Sequence, residues 1–312
     1  MIRRVSKRIF LSIRYYIKRT GFAIILKADM KIYTTISGFF ASVLLFFFTY
    51  TFVSAFQVEV SPYEISPGDA FIITVADAKT SPLPDASLNG KPFYFSSCGK
   101  DCFIAVGAVG LETKPGAYTI HVSVGEKKTN VDLVVRHTRF PTQRLTLPEE
   151  RVFLSRENLK RVELEDERLK AIFETTTDRL WRGKFVLPLE HDVTTKFGTK
   201  RIINKKKISV HRGIDIKGKD GEEVRSSNSG RVVLAEELFF GGNTVILDHG
   251  QGIYTVYMHL SKFNVKHQDI VSKGDVIGFV GSTGRSSNSH LHFGVKVLNI
   301  NVNPVSVVGL GL

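Results

Sequence analysis

The chain has 312 residues, 43 Lys plus Arg against 30 Asp plus Glu, a formal net charge of +13 and 43% hydrophobic residues. That length suits about two domains, and the composition excludes an acidic disordered chain and a polytopic membrane protein. Two cysteines exclude a disulfide-stapled mini-protein and a four-cysteine zinc site.

Residues 1–31 hold nine bases and one acid, net +8, which leaves +5 for everything after them. They read as a basic cytoplasmic segment, and the basicity of the whole chain is a tail effect that gives no reason to expect nucleic acid as a partner. From 32 to 58 no residue is charged, a run of 27 positions. A membrane span needs ~20 apolar residues, so 32–56 reads as a transmembrane anchor or a signal peptide. Basic flanks stay in the cytoplasm. The rest is therefore expected outside, in the periplasm or on the outer face of the cytoplasmic membrane. Two readings stand side by side. Starting at Met1, the run is an uncleaved single-pass anchor. Starting at Met30, Lys31 followed by the apolar run and Val53-Ser54-Ala55 is a cleaved signal.

Residues 57–137 read as all-β. Val58-Glu59-Val60, Phe71–Val75 and Tyr118–Val124 are β-branched or alternating, with turns at Pro67-Gly68, Asn89-Gly90 and Pro115-Gly116. Short strands at this spacing predict a small immunoglobulin-like β-sandwich, read as a structural stalk. Cys98 and Cys102 lie within it. Outside the cytoplasm they are expected to form a structural disulfide, free thiols being the alternative. Residues 138–184 read as a helical linker. Ser155 is the candidate cap, and Leu159, Val162, Leu169, Ile172 and Phe173 recur at roughly helical spacing. Residues 185–312 return to β, with strand-like runs Gly230–Leu234, Asn243–Asp248, Gly252–Tyr257, Val276–Val280 and Leu291–Val295 between glycine turns. They predict a compact antiparallel sheet, so the fold is mainly β.

Six of the nine histidines follow residue 200. Three groupings carry chemistry: His211 four residues before Asp215, Tyr257-Met258-His259-Leu260, and His290-Leu291-His292. Zinc at a catalytic site takes three nitrogen or oxygen ligands and a water. His211, Asp215 and one of His290 and His292 supply such a set. On a strand His290 and His292 face the same side, ~7 Å apart at ~3.4 Å per residue, so one can ligate while the other reaches water or substrate. His259 can face the same cleft. The chemistry this suits is metal-assisted amide hydrolysis, with an unligated His moving the proton.

The wording around these residues is more specific. His211-Arg212-Gly213-Ile214-Asp215-Ile216, Gly242–Gly250, Tyr257–Leu260, Gly281-Ser282-Thr283-Gly284-Arg285 and His290-Leu291-His292-Phe293 occur in order. Together with the lead-ins Phe185–Leu189 and Lys196-Phe197-Gly198, they closely resemble the lysostaphin-type (LytM-type) zinc metallopeptidases. The resemblance covers 185–307. It implies a lysostaphin-like (duplicated hybrid motif) fold and one Zn2+ per chain held by His211, Asp215 and His292. It also implies His290 and His259 as the catalytic acid/base and oxyanion residues, and the stem or cross-link peptides of peptidoglycan as substrate. The alternative is a non-catalytic wall-binding or hydrolase-activator protein of the same fold, whose degenerate members usually lack some of these five residues. Departures are Asn288-Ser289 where Gly-Pro is common, Gln268 where glycine is usual, and the insertion-like Asn204–Lys207. They bear on rim shape, not on the ligands. His121, His137, His191, His249 and His267 are expected to be structural, and Asp248 to stabilise its own turn.

Overall fold

A computed structural model describes residues 56–78, 82–146 and 154–312. The basic segment 1–31 and nearly all of the apolar run 32–56 lie outside the described residues. Among the described residues no helix is long and apolar enough to cross a membrane.

The first region carries β1 (Gln57–Ser61), β2 (Glu64–Ile65), β3 (Ala70–Ala76), β4 (Asp85–Leu88), β5 (Lys91–Pro92), β6 (Ser96–Gly99), β7 (Cys102–Ala108), β8 (Gly116–Val124) and β9 (Lys127–Val135). They form two sheets, ordered β1-β3-β7-β6 and β2-β9-β8-β4-β5. Phe71, Ile73, Val75, Phe103, Ala105, Ile120 and Leu133 fill the space between the sheets. A sheet covered on one side only would alternate apolar and polar residues. β3 and β7 are instead apolar almost throughout, and their other face explains it. Ala70, Ile72, Ile104, Val106 and Ala108 belong to the core that also holds Trp181, Phe185, Phe293 and Leu310. The module is docked along a sheet face and is no free-standing stalk. Polar bonds reinforce the seam: Ala70 N–H donates to Ser306 Oγ at 3.0 Å, and Gln251 Nε2 donates to the Tyr94 carbonyl at 2.8 Å. Cys98 and Cys102 are joined in a disulfide.

Among the described residues of the stretch read as a helical linker, the helix is α1 (Arg156–Phe173), capped by the Ser155 hydroxyl, which accepts from Asn158 N–H at 3.2 Å. Thr142–Leu145 is a strand, β10, that pairs in parallel with β12 (Lys200–Ile203). Its sequence lacks the apolar alternation that signals a strand, because it only borders a hairpin. Further on come β11 (Val193–Thr195), β13 (Lys207–Val210), β14 (Ile214–Lys217), β15 (Glu223–Arg225), β16 (Gly230–Leu238), β17 (Gly242–Asp248), β18 (Ile253–Phe263), β19 (Ile270–Val271), β20 (Val276–Val280), β21 (His290–Val297), β22 (Ile300–Val302) and the short α2 (Pro304–Val308). Their main sheet is ordered β11-β14-β21-β18-β17-β16-β19, with β20 on β18 and β22 on β21. Every pairing within this sheet is antiparallel. On β21, Leu291, Phe293, Val295 and Val297 point into the core. His290, His292, Gly294 and Lys296 therefore share the opposite face. Helix α1 packs on that same face, where Phe173 lies against Leu234, Leu238, Ile246, Tyr254 and Val256.

Candidate metal centre

The register of three adjacent strands builds the site. Asp215 of β14 and Met258 of β18 are both aligned with His292 of β21. Cross-strand neighbours on one face lie within side-chain reach, so Asp215 and His292 meet without a loop having to bring them together. His211 enters just before β14, pinned by its own N–H to the Thr199 carbonyl at 3.0 Å and by Gly198 N–H to its carbonyl at 2.9 Å. Gly213 makes the approach possible. A Cβ there would stand 2.6 Å from His292 Nε2 and 2.6 Å from the Phe293 carbonyl oxygen.

Three atoms converge. His211 Nε2, His292 Nδ1 and Asp215 Oδ1 are each 2.9 Å from the other two. His211 Nδ1 lies 3.2 Å from the Lys196 carbonyl, an acceptor, so that nitrogen carries the proton and Nε2 presents a bare lone pair. Lone pairs set this close repel unless they share a cation. A triangle of this size lets one ion stand ~2.0–2.1 Å from each corner, the usual zinc distance to nitrogen or carboxylate oxygen. Among the described residues this trio is the group able to hold a metal ion. The donor chemistry and the spacing fit zinc. Burial on its own would raise the Asp215 carboxyl, but hydrogen bonds and charge from His211 and His292 outweigh it and hold it well below the usual carboxylate range.

His290 and His259 stand beside the trio. His290 Nε2 is 3.7 Å from Asp215 Oδ1, and its ring centroid is 4.9 Å from that of His259. Strict alternation along β18 would send His259 to the face opposite Met258. The backbone prevents this: His259 takes φ +65° where the β17–β18 register shifts. A non-glycine residue held in this left-handed region costs roughly 1–2 kcal/mol, and here the bend turns the imidazole toward His290. Both rings are oriented by carbonyls. His259 Nδ1 donates to Thr283 O at 2.9 Å and His290 Nδ1 to Asn288 O at 2.8 Å. Neutral, each ring therefore leaves its Nε2 lone pair bare. Burial lowers the His259 imidazole to about 4.

Several contributors escaped the sequence reading. Arg201 of β12 donates from Nη2 to Asp215 Oδ2 at 3.0 Å, which fixes the carboxylate oxygen turned away from the trio, while its buried Nε has no partner among the described residues. Nothing in Lys200-Arg201-Ile202-Ile203 marks it, because only the hairpin fold brings it near. The orienting carbonyls of Lys196, Thr283 and Asn288 carry no side-chain signal at all. The departures are mild. Asn288 supplies the His290 acceptor, and Gln268 takes φ +75°, the conformation in which glycine is comfortable.

The remaining histidines lie elsewhere. His249 is fully buried, with Nδ1 donating to Ser229 O at 2.8 Å and Nε2 2.7 Å from Thr255 Oγ1. His191 pairs with Glu222, and His121 with Asn130. Asp248 Oδ1 accepts Gly250 N–H within its own turn, and its Oδ2 accepts from Thr177, tying the segment after α1 to the sheet.

Residues 209–304 match the family model described as Peptidase family M23. The DD-carboxypeptidase/endopeptidase Mpg of Neisseria meningitidis is 44% identical over 98 residues, covering 31% of this chain and 23% of that protein. Lysostaphin of Staphylococcus staphylolyticus is 43% identical over 86 residues, covering 27% and 18%. The chain thus spans less than a quarter of the length of these curated relatives. A crystal structure described as a putative peptidase M23 from Pseudomonas aeruginosa superposes with TM-score 0.62 at 28% identity, covering 78% of this chain and 95% of that one. That likeness extends well outside the matched stretch.

Proposed function

The chain belongs to peptidase family M23, and from that premise we propose that it is a zinc-dependent endopeptidase hydrolysing peptide bonds of bacterial peptidoglycan. One observation carries the reading: two imidazole nitrogens and a carboxylate oxygen mutually 2.9 Å apart, with two further histidines beside them. A merely fold-bearing relative has no need to keep all five.

In this reading His211, Asp215 and His292 hold the ion, and Arg201 steadies the second oxygen of Asp215. Zinc, when bound, supplies a Lewis-acidic centre that lowers the pKa of its water to about 7 and polarises the scissile carbonyl. The chain's own residues move the protons. His290 and His259 rest with bare Nε2 atoms, so either can accept the proton of the attacking water. Having accepted it, that Nε2–H is a donor, able to bond the developing oxyanion or protonate the leaving amine. Neither ring can donate from Nε2 before it has accepted, because its Nδ1–H is committed to a backbone carbonyl.

The wider organisation belongs to the same proposal. We assign the catalytic domain to 185–312, an immunoglobulin-like β-sandwich to 57–137, and export through the uncharged run 32–56. The support is the two facing sheets of the module and the basic flank before that run. Purified peptidoglycan digested with the zinc-loaded chain should release peptide fragments identifiable by mass, and chelation should stop the release. Intact peptidoglycan beside a stoichiometrically zinc-loaded protein would instead assign the chain to wall binding.

A further inference from the structure

Helix α1 lies outside the stretch that matches the family, yet it walls a cavity that reaches His292 of the candidate metal centre. The cavity holds about 430 Å³. Its floor is the side of β21 and β18 that faces α1, with His292 at one end and Lys296 at the other, and its wall is Asp166, Leu169, Lys170 and Phe173 of α1. Lys296 is four residues beyond His292 on the same face, about 14 Å along the strand at ~3.4 Å per residue.

A lysine in this place needs a reason. Its stem lies against Phe173, with Nζ 4.7 Å from the ring centroid, and the ammonium reaches Asn299, at 3.2 Å to Oδ1 and 3.4 Å to the carbonyl. Among the described residues no carboxylate pairs with it. The charged groups that line the cavity with it are Arg212, Lys170 and a single acid, Asp166. Lys170 is already drawn to Glu174, 3.8 Å away. Burial, then the charge of Arg212, push the Lys296 ammonium down to about 8. Even half-buried, a cation without an anion gives up part of its hydration with no charge in return, and a ligand carboxylate would supply one.

We propose that the cavity between α1 and β21 is a substrate subsite for an extended, carboxylate-bearing peptide, with Lys296 as its specificity-determining residue. The inference rests on the peptidase reading and deepens it. A peptide lying along β21 with its scissile bond at His292 would place a carboxylate at Lys296 about four residues away. The acidic stem peptides of peptidoglycan carry such groups. Asn299 holds the ammonium in position, and α1 excludes water from one side of the contact.

The test is the affinity of the zinc-loaded full chain, read by calorimetry where a ligand survives the titration and as KM where it is cleaved. The ligands are a cross-linked stem-peptide dimer with free carboxylates, the same dimer amidated at internal carboxylates only, and the dimer amidated at its termini only. A hydrogen bond between charged partners supports about a tenfold loss of affinity or more on amidation, and the arm that loses it identifies the carboxylate. Lys296→Met keeps the aliphatic stem on Phe173. It should bind the free-acid dimer as weakly as wild type binds the amidated one, with no further loss on amidation. Equal affinity of wild type for all three ligands, failure to bind the free acid, or full discrimination by Lys296→Met each overturn the subsite. The wild-type comparison needs no variant to fold. Discrimination without cleavage would retire the hydrolase and keep the subsite; cleavage of all three dimers at equal affinity would do the reverse.

Discussion

The two β regions of this protein solve the same packing problem with different materials. The module formed by β1–β9 fills the gap between its sheets with Phe, Ile, Val and Leu, and among its described residues Ser66 is the lone buried polar side chain. The region from β11 onward buries twelve, among them His211, Asp215, Ser226, Asn228, Asp248, His249, Thr255 and His259. A buried polar group costs free energy unless it is bonded, so each such residue commits its surroundings to a partner. Around His249 that commitment is a closed chain. Ser227 N–H donates to the Tyr257 hydroxyl, that hydroxyl meets Thr255, Thr255 meets His249, and His249 donates to Ser229. Apolar filling makes a scaffold, whereas polar filling fixes the orientation of particular atoms. The trio that could hold a metal ion stands at the edge of the second kind of core.

Substitutions in the two regions should separate accordingly. The largest effect is expected at the trio. His211→Ala or Asp215→Ala should reduce zinc, measured by atomic absorption, from one per chain to near none, and should cut peptidoglycan hydrolysis by on the order of 10³-fold or more. Ile73→Ala, fully buried in the module, should lower unfolding stability by about 2–5 kcal/mol and leave the zinc content of the folded protein unchanged. Zinc loss in Ile73→Ala would erase the division between scaffold and site.

His290→Ala comes next. Its Nε2 faces the centre but is not one of the three converging atoms, so zinc should stay bound while the rate falls by about 10²–10⁴-fold, the range for a lost acid/base group. Stoichiometric zinc loss would mean that His290 and His292 exchange roles.

Acid should reach the second region through His249. Burial depresses its imidazole to about 4 from the usual 6.5. The unfolded chain therefore binds a proton that the folded one refuses, and stability falls as pH drops from about 6.5 towards 4. At 1.36 kcal/mol per pH unit, this histidine should account for about 2–3 kcal/mol between pH 7 and pH 4.5. Denaturant titrations of wild type and His249→Gln at both pH values would measure it. An unchanged pH slope in the variant would place the acid sensitivity elsewhere.

Much of this was legible in the residues. Phe71–Val75, Asn243–Asp248 and Leu291–Val295 are strands because β-branched and apolar residues run between glycine turns. The candidate ligands stood out in part: zinc's demand for three nitrogen or oxygen donors pointed to His211, Asp215 and one of His290 and His292, and the choice of His292 came from the family resemblance. Other features were hidden because they are properties of the fold. Thr142–Leu145 is a strand through its neighbour's edge, not through its own pattern. The docking of the module was written in the continuous apolar runs of β3 and β7, but such runs fit a central strand as well. The orientation of His259 depends on one left-handed backbone angle, which no residue type announces.

Arg201 is the hardest of these to read and the most informative to change. It donates to Asp215 Oδ2, leaving Oδ1 for the trio. It also arrives from the β12–β13 hairpin, which pairs with β10 and so with the chain that leaves the module. Scaffold and site meet at this guanidinium. Arg201→Met preserves much of the stem and removes the donor. Partners that orient a ligand typically contribute 10–100-fold in metal affinity, so zinc competition with a chelator should show a loss within that range, smaller than for any ligand change. Because the guanidinium touches no reacting atom, saturating zinc should restore most of the rate, and Arg201→Lys should recover part of the affinity through a single charged donor. A loss that zinc cannot restore would move Arg201 from orienting the carboxylate to contacting the substrate. The hairpin would then be part of the cleft, not its support.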